Sequence, residues 1–110
     1  MTTRSTVLVA GRLETGGSQV VYTTPPGLVA LVKSIYLTRA GTDIATVIVQ
    51  ANRPGVALVT LFESTAVTRV VVSADQIWHV LEPGDQIVVS VTVGQAYVWV
   101  NGALLPLGST

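Results

Sequence analysis

The only histidine of the chain, His79, is the first residue to consider for chemistry near neutral pH. A histidine acts as a general base in nucleophilic catalysis when it lies beside a nucleophile and a group that orients it. Asp75 and Glu82 lie close to His79 in the sequence, but no serine stands in a Gly-x-Ser-x-Gly nucleophile elbow. We therefore expect a structural histidine on a strand, and we predict that the protein is not an enzyme.

Acidic residues are the second group that could hold a ligand, and they are few and scattered. Asp43, Asp75, Glu82 and Asp85 do not have the ligand spacing of a calcium loop. Asp85 follows Pro83-Gly84, a position that favours capping of a turn by its own side chain. A single histidine without cysteine excludes the usual zinc ligand sets and any disulfide. Phosphate-binding glycine motifs are also missing, so we expect neither a metal nor a cofactor.

Aromatic residues form the one constellation with a possible binding chemistry. Tyr97 and Trp99 stand two residues apart and would share one face of a strand, and Trp78 would lie nearby if its strand pairs locally. Exposed tryptophan and tyrosine rings stack on sugars, so Trp78, Tyr97 and Trp99 are candidate glycan-stacking residues. The same residue types are also common in protein cores and subunit interfaces, which is the competing interpretation.

Short runs rich in Val, Ile, Thr and aromatic residues must position these side chains. Clusters of glycine, proline and asparagine separate the runs at regular spacing, a pattern typical of an all-β sandwich or barrel. No window has the apolar spacing and caps of a helix. The sequence predicts one domain over residues 1–110, an antiparallel, jelly-roll-like β-sandwich of eight to nine strands with essentially no helix. The predicted strands are 6–12, 19–23, 28–39, 44–50, 56–62, 68–72, 76–81, 86–93 and 96–100, with a tight turn between 81 and 87.

Composition indicates assembly. Hydrophobic residues make up 49% of the chain and charged residues only 11%, with six basic and six acidic residues, against about 25% charged residues in an average domain. No basic stripe indicates nucleic acid or an anionic membrane as a partner. No apolar run reaches the roughly 20 residues of a membrane span. We expect a homo-oligomer.

The predicted strands 44–50 and 56–62 are apolar on both faces. A strand of this kind is normally covered on both faces. A two-layer sandwich covers only one of the two faces within the chain. A neighbouring subunit is the simplest cover for the other, since a large exposed apolar patch usually marks an interface. The candidate subunit-interface residues on these second faces are Ile44, Ile48, Val56, Leu58 and Phe62.

Three stretches in a fixed order carry a resemblance to a known class of proteins. They are Pro25-Pro26-Gly27 followed by Val32-Lys33-Ser34-Ile35, then Leu81-Glu82-Pro83-Gly84-Asp85-Gln86-Ile87, and finally Tyr97-Val98-Trp99-Val100-Asn101-Gly102. From Gln19 to Gly102 this order resembles small virion proteins of tailed bacteriophages, of the minor-tail or capsid-decoration type.

The resemblance implies a structural β-sandwich of the virion, made in the host cytoplasm, often trimeric, which binds itself and other virion proteins. Residues 1–5 and 103–110 are candidate arms that reach a neighbour. A carbohydrate- or receptor-binding module is the alternative function, and it would use the three aromatic residues named above.

Overall fold

Nine β-strands account for most of what the structure, a computed structural model, describes, namely residues 4–14, 16–40, 45–67, 72–74 and 77–106. The strands are β1 (Arg4–Glu14), β2 (Gly17–Thr23), β3 (Leu28–Arg39), β4 (Ala45–Arg53), β5 (Ala57–Val67), β6 (Val72–Ala74), β7 (His79–Leu81), β8 (Gln86–Val93) and β9 (Gln95–Pro106). These residues include no helix long and apolar enough to cross a membrane. The predicted bounds of β3 and β8 are confirmed.

The strands form two antiparallel sheets packed face to face. The five-stranded sheet has the order β1-β9-β3-β6, and β7 also pairs with β3. The four-stranded sheet has the order β2-β8-β4-β5. β1 contacts β2 on one flank of the sandwich, and β5 contacts β3 and β6 on the other. This architecture confirms the predicted all-β sandwich.

The core follows from the two-residue period of the strands. In β4, Val47 and Val49 are fully buried, whereas Ile48 between them is half-buried. The inward side chains of β3 and β8, such as Ile35 and Val89, meet them from the other strands. Each fully buried valine or isoleucine contributes roughly 1.5–3 kcal/mol relative to leaving it in water, so the alternation fixes which face of each strand points inward.

Bulges interrupt this alternation in several strand pairs, and two of them bear on the candidate site. In β5, Thr60 pairs with Gln50 and Phe62 pairs with Val49, so Leu61 is an extra residue. The extra residue shifts the face of everything after it. Phe62 therefore does not share the outer face of Leu58, as the strict alternation predicted, but packs against the core.

The second bulge lies in β3, where Val32 pairs with Gly102 and Ser34 with Asn101, which leaves Lys33 as the extra residue. Gly102 is required here because a Cβ atom at this position would collide with the carbonyl oxygen of Leu31. The bulge places Lys33 and Ser34 between the inward-facing Val32 and Ile35.

The candidate arms and two predicted strands have different positions from those expected. Residues 103–106 continue β9, and Arg4 and Ser5 pair with them, so these parts belong to the five-stranded sheet. Residues 1–3 and 107–110 lie outside the described residues. Of the predicted strands 68–72 and 76–81, the structure describes the short β6 and β7, and residues 68–71, 75 and 76 are not described. Ile77 and Trp78 precede β7 and are not in a strand.

Candidate functional site

The outer face of the five-stranded sheet carries large apolar side chains in contact with solvent. We call it the aromatic face. Its exposed large residues are 36% to 58% accessible: Val7, Trp78, Val80, Tyr97 and Trp99. In β9, Tyr97 and Trp99 alternate with the fully buried Val98 and Val100. Packing of the inner face therefore forces Tyr97 and Trp99 outward.

Three aromatic rings occupy the middle of this face. The ring centroids of Tyr97 and Trp99 are 5.8 Å apart with a tilt of 35°, a geometry typical of attractive aromatic pairs. Tyr36 in β3 lies directly opposite Trp99. Tyr36 is half-buried, and the sequence interpretation missed it because its role depends on the pairing of β3 with β9, which are far apart in the sequence.

Trp78 belongs to the other margin of the aromatic face, beside β7. Its φ angle is +53°, in the left-handed region that bulky residues rarely adopt. The N–H of Ile77 donates a hydrogen bond to the carbonyl oxygen of Lys33 at 3.0 Å, and the Lys33 Nζ atom lies 5.9 Å from the Trp78 ring centroid. These contacts hold the indole outward, where it is 58% exposed, so the three predicted aromatics do not form one compact cluster.

The charges described on this face are positive. Arg12 in β1 pairs with Tyr97 and donates a hydrogen bond to the side chain of Gln95. Lys33 lies over Trp78, as described above. The acidic residues whose side chains the structure describes are Glu63, Glu82 and Asp85, and they lie in β5 and in the turn before β8. The aromatic face therefore combines apolar surface with positive charge.

The outer face of the four-stranded sheet differs, and we call it the polar face. Hydrogen bonds link its side chains across neighbouring strands: Ser18 with Ser90 at 2.8 Å, Asn52 with Gln86 at 3.0 Å and Gln50 with Thr60 at 3.4 Å. Val88 and Ser90 in its centre are only 8% exposed. The polar groups of this face thus find partners within the chain.

Four of the five predicted interface residues are described by the structure, and they separate into three groups. Ile48 is half-buried on the polar face, and Ile44 lies outside the described residues. Val56 and Leu58 are 73% and 57% exposed at the β4–β5 turn. Phe62 points toward the core for the reason given above.

An ion pair holds the turn end of the β4–β5 hairpin. Arg53 donates from Nε to Asp85 Oδ1 at 3.0 Å and from Nη2 to Asp85 Oδ2 at 2.9 Å. Its Nη2 also lies 3.2 Å from Glu82 Oε2. The Glu82 N–H donates to Asp85 Oδ2 at 2.9 Å, which confirms that Asp85 caps the Pro83-Gly84 turn. The Arg53 guanidinium, through its hydrogen bonds, lowers the pKa of the Asp85 carboxyl below its usual range.

A cavity of about 180 Å³ opens beside this ion pair, between β7 and the β4–β5 hairpin. Its lining is mostly apolar and consists of Ala51, Asn52, Arg53, Ala57, Val59, His79, Val80, Leu81 and Asp85. The lining brings His79 near an aspartate but includes no hydroxyl or thiol that could act as a nucleophile. Within the part of the chain that the structure describes, no group of three or more His, Asp or Glu side chains could hold a metal ion.

Comparison with known proteins identifies the fold through structure and not through sequence. No protein-family model matches the chain, and no curated protein matches it. The chain is similar to a crystal structure of the Drosophila NLP core, which was analysed for pentamer formation and histone binding. The TM-score is 0.58 at 14% sequence identity, over 91% of this chain and 99% of that chain. A likeness at this identity establishes the fold.

The bacteriophage interpretation is wrong in the light of this similarity. The structural neighbour is a pentameric NLP core and not a virion protein. The resemblance to minor-tail and capsid-decoration proteins, the virion location, the virion partners and the favoured trimer are corrected accordingly. The motifs that carried the resemblance, a Pro-Gly turn and valine-rich strands, are structural features that unrelated β-sandwiches share.

Proposed function

We propose that this chain is a non-catalytic β-sandwich protein that assembles into a homo-oligomer through its aromatic face. The observation that carries the proposal is the set of large side chains on that face, which are 36% to 58% exposed in the single chain. Several large apolar side chains left uncovered on one face are uncommon on soluble monomers and favour an interface there.

The residue types on the aromatic face support a protein as its occupant. Tyrosine, tryptophan and arginine are enriched in the centres of protein interfaces, and Tyr97, Trp99 and Arg12 lie side by side here. The rings are held by neighbours on the sheet, since Trp99 contacts Tyr97 and faces Tyr36. Rings that are already ordered lose little conformational entropy on binding, which favours association.

The fold likeness supports self-association more than binding of a basic partner. The NLP core, with the same type of sandwich, forms pentamers, so a pentamer is the number of copies we expect. A strongly basic partner such as a histone requires an acidic surface. This chain has six acidic and six basic residues, and the charges described on the aromatic face are those of Arg12 and Lys33, so we do not extend histone binding to it.

The non-catalytic part of the proposal rests on the cavity at His79. General-base catalysis on a covalent pathway needs a nucleophile within hydrogen-bond reach of the base, and the cavity lining supplies none. Asp85, the acidic residue of the lining, already binds Arg53 with both carboxylate oxygens. The charged groups that line the cavity therefore stabilise the hairpin.

Two matched substitutions test the assembly. Val7 on the aromatic face is 54% exposed in the edge strand β1, and Val20 on the polar face is 55% exposed in the edge strand β2. Val7→Asp places a charge that would have to be desolvated in the proposed interface, so we expect association at least tenfold weaker than in the wild type. We expect Val20→Asp to associate as the wild type does. Sedimentation velocity over a range of protein concentrations measures both.

Circular dichroism and thermal unfolding establish that both variants are folded. If Val7→Asp fails to fold, Trp99→Ser replaces it, because this change removes a large part of the apolar surface without adding a charge. A wild-type protein that remains monomeric at high micromolar concentration would overturn the proposal. Equal association of the two valine variants would do so as well.

A further inference from the structure

The turn of the β4–β5 hairpin and the start of the edge strand β5 are exposed at the margin of the sandwich. Every residue from 53 to 60 is exposed, and we call this segment the hairpin arm. Its apolar side chains lie on both sides: Leu58 is 57% exposed, and Val59, which points the other way, is 46% exposed. Val56 at the turn is 73% exposed. The arm thus offers apolar surface in two directions, and the sandwich itself covers neither.

The arm is nevertheless held in one orientation. At its tip, the Val56 N–H donates to the carbonyl oxygen of Arg53 at 2.9 Å, and Gly55 has a φ angle of +76°. At its first residue, which directly precedes the turn and which we call the base of the arm, Arg53 binds Asp85 with two hydrogen bonds. Asp85 belongs to the turn between β7 and β8, so the ion pair ties the arm to the body of the sandwich. A segment that is already ordered loses little conformational entropy when it binds.

The arm and the edge strand β1, which borders the ring cluster of the aromatic face, lie on opposite flanks of the molecule. The arm belongs to β5, on the flank where β5 contacts β6, whereas Val7 and Arg12 belong to β1, on the flank where β1 contacts β2. Two different apolar patches on opposite flanks are the arrangement that a head-to-tail interface requires. A two-fold dimer through the aromatic face alone would leave the arm uncovered.

Charge favours the same pairing. At the base of the arm, the acidic residues Glu82 and Asp85 outnumber the single cation Arg53. On the ring cluster, Arg12 places a positive charge beside Tyr97. Opposite charges at the rims of two apolar patches set their orientation and accelerate their encounter.

We propose that the hairpin arm of one copy packs on the Val7–Tyr97–Trp99 surface of the next copy, and that repetition of this contact closes a ring. The inference rests on the proposed self-association and names its second surface. Val56 and Leu58 would contact the aromatic rings, and the base of the arm would face Arg12 of the neighbour.

Mixing of two defective variants tests this pairing. Val7→Asp has a damaged receiving surface and an intact arm, and Leu58→Asp has a damaged arm and an intact receiving surface. We expect each variant alone to be monomeric where the wild type is oligomeric. A one-to-one mixture should form a heterodimer and nothing larger. The intact arm of Val7→Asp can bind the intact receiving surface of Leu58→Asp, but the two remaining surfaces of this pair are both damaged. Native mass spectrometry resolves the two variants by mass.

Controls separate the failure of this inference from the failure of self-association. Val20→Asp replaces either partner as a control and should leave full oligomers. Val56→Asp replaces Leu58→Asp if the latter does not fold. Wild-type oligomers together with a mixture that remains monomeric would overturn the head-to-tail pairing and leave self-association standing. Full oligomers of Leu58→Asp and of Val56→Asp would also overturn the role of the arm. A monomeric wild type would overturn both proposals.

Discussion

The two outer faces of the sandwich are both antiparallel sheet surfaces, but their side chains differ. On the polar face, Ser18 with Ser90 and Asn52 with Gln86 form hydrogen bonds between neighbouring strands. On the aromatic face, Tyr97 and Trp99 contact each other and remain more than one third exposed. The difference shows that an outer strand face indicates an interface when large side chains of neighbouring strands stay uncovered together, and not because single apolar residues are exposed.

Val88 illustrates the same lesson from the other direction. It is a valine on an outer face, between Val20 and Gln50 on the adjacent strands. Its neighbours cover it to 8% exposure, whereas Val7, at the edge of the aromatic face, is 54% exposed. The neighbours on the adjacent strands therefore decide how far an outer valine is covered, and edge valines such as Val7 and Val20, at 54% and 55%, stay exposed on either face.

We expect the largest effect from a substitution that disrupts the five-stranded sheet, which carries the aromatic face. In Gly102→Ala the new methyl group collides with the Leu31 carbonyl oxygen, so we expect a loss of roughly 3 kcal/mol in the free energy of unfolding. The matched control is Gly11→Ala, since a Cβ atom at Gly11 has no neighbour within 4 Å. Its effect should stay within about 1 kcal/mol. Urea denaturation measures both, and equal effects would show that the close approach at Gly102 does not constrain the sheet.

The next effect concerns the base of the hairpin arm. Asp85→Asn keeps the shape of the side chain and removes the charge that binds Arg53, so we expect a loss of about 1–2 kcal/mol in the free energy of unfolding. Glu82→Gln is the control, because its carboxylate is largely exposed and exposed ion pairs contribute about 0–1 kcal/mol. A larger loss in Glu82→Gln than in Asp85→Asn would contradict the anchoring role of Asp85.

The same carboxylate predicts a dependence of stability on pH. Arg53 lowers the pKa of Asp85 in the folded state relative to an unfolded value of about 3.9. The contribution to stability is therefore complete above the unfolded pKa and is lost as the pH falls through the folded pKa. Unfolding measured at stepwise lower pH should show this loss in the wild type and a smaller loss in Asp85→Asn. Identical pH profiles would exclude Asp85 as the group responsible.

The smallest effect tests the polar face. The hydroxyl groups of Ser18 and Ser90 are 2.8 Å apart, and we expect a coupling of about 0.5–1 kcal/mol in a double-mutant cycle with alanine at both positions. Association should not change in any of the three variants, because Ser18 and Ser90 belong to neither of the two proposed contact surfaces. Weaker association of Ser18→Ala, measured by sedimentation velocity, would contradict the distinction between the two faces.

Local patterns were sufficient to predict the architecture. The two-residue alternation of Gln86–Val93 gave the correct strand and predicted one apolar inner face; Ile87, Val89 and Val91 are buried on it, whereas Val93 at the end of the strand is 51% exposed. The Pro83-Gly84 pair gave a turn in which Gly84 has a φ angle of +89° and the Asp85 N–H donates to the Glu82 carbonyl oxygen at 2.9 Å. Turn geometry and alternation depend on residues that are adjacent in the sequence, which is why a single sequence predicts them.

The exposed apolar surface was predicted only in part, because it depends on which strands pair. Val56 and Leu58 were assigned to an exposed face and are exposed. The extra residue Leu61 reversed the face of Phe62, and no local signal marks that bulge. The meeting of Tyr36 with Trp99 requires β3 to pair with β9, and the meeting of Arg53 with Asp85 requires the two turns to lie side by side. Neither contact has a trace in the local sequence pattern.

Trp99 provides the most direct test of the claim that a second copy covers the aromatic face. The chain has two tryptophans, so Trp78→Phe leaves Trp99 as the single fluorescent indole. Acrylamide quenching of this variant should be measured below and above the concentration at which it associates. We predict that quenching falls several-fold and that the emission shifts to shorter wavelength as oligomers form. Oligomers in which Trp99 is quenched as readily as in the monomer would contradict the claim.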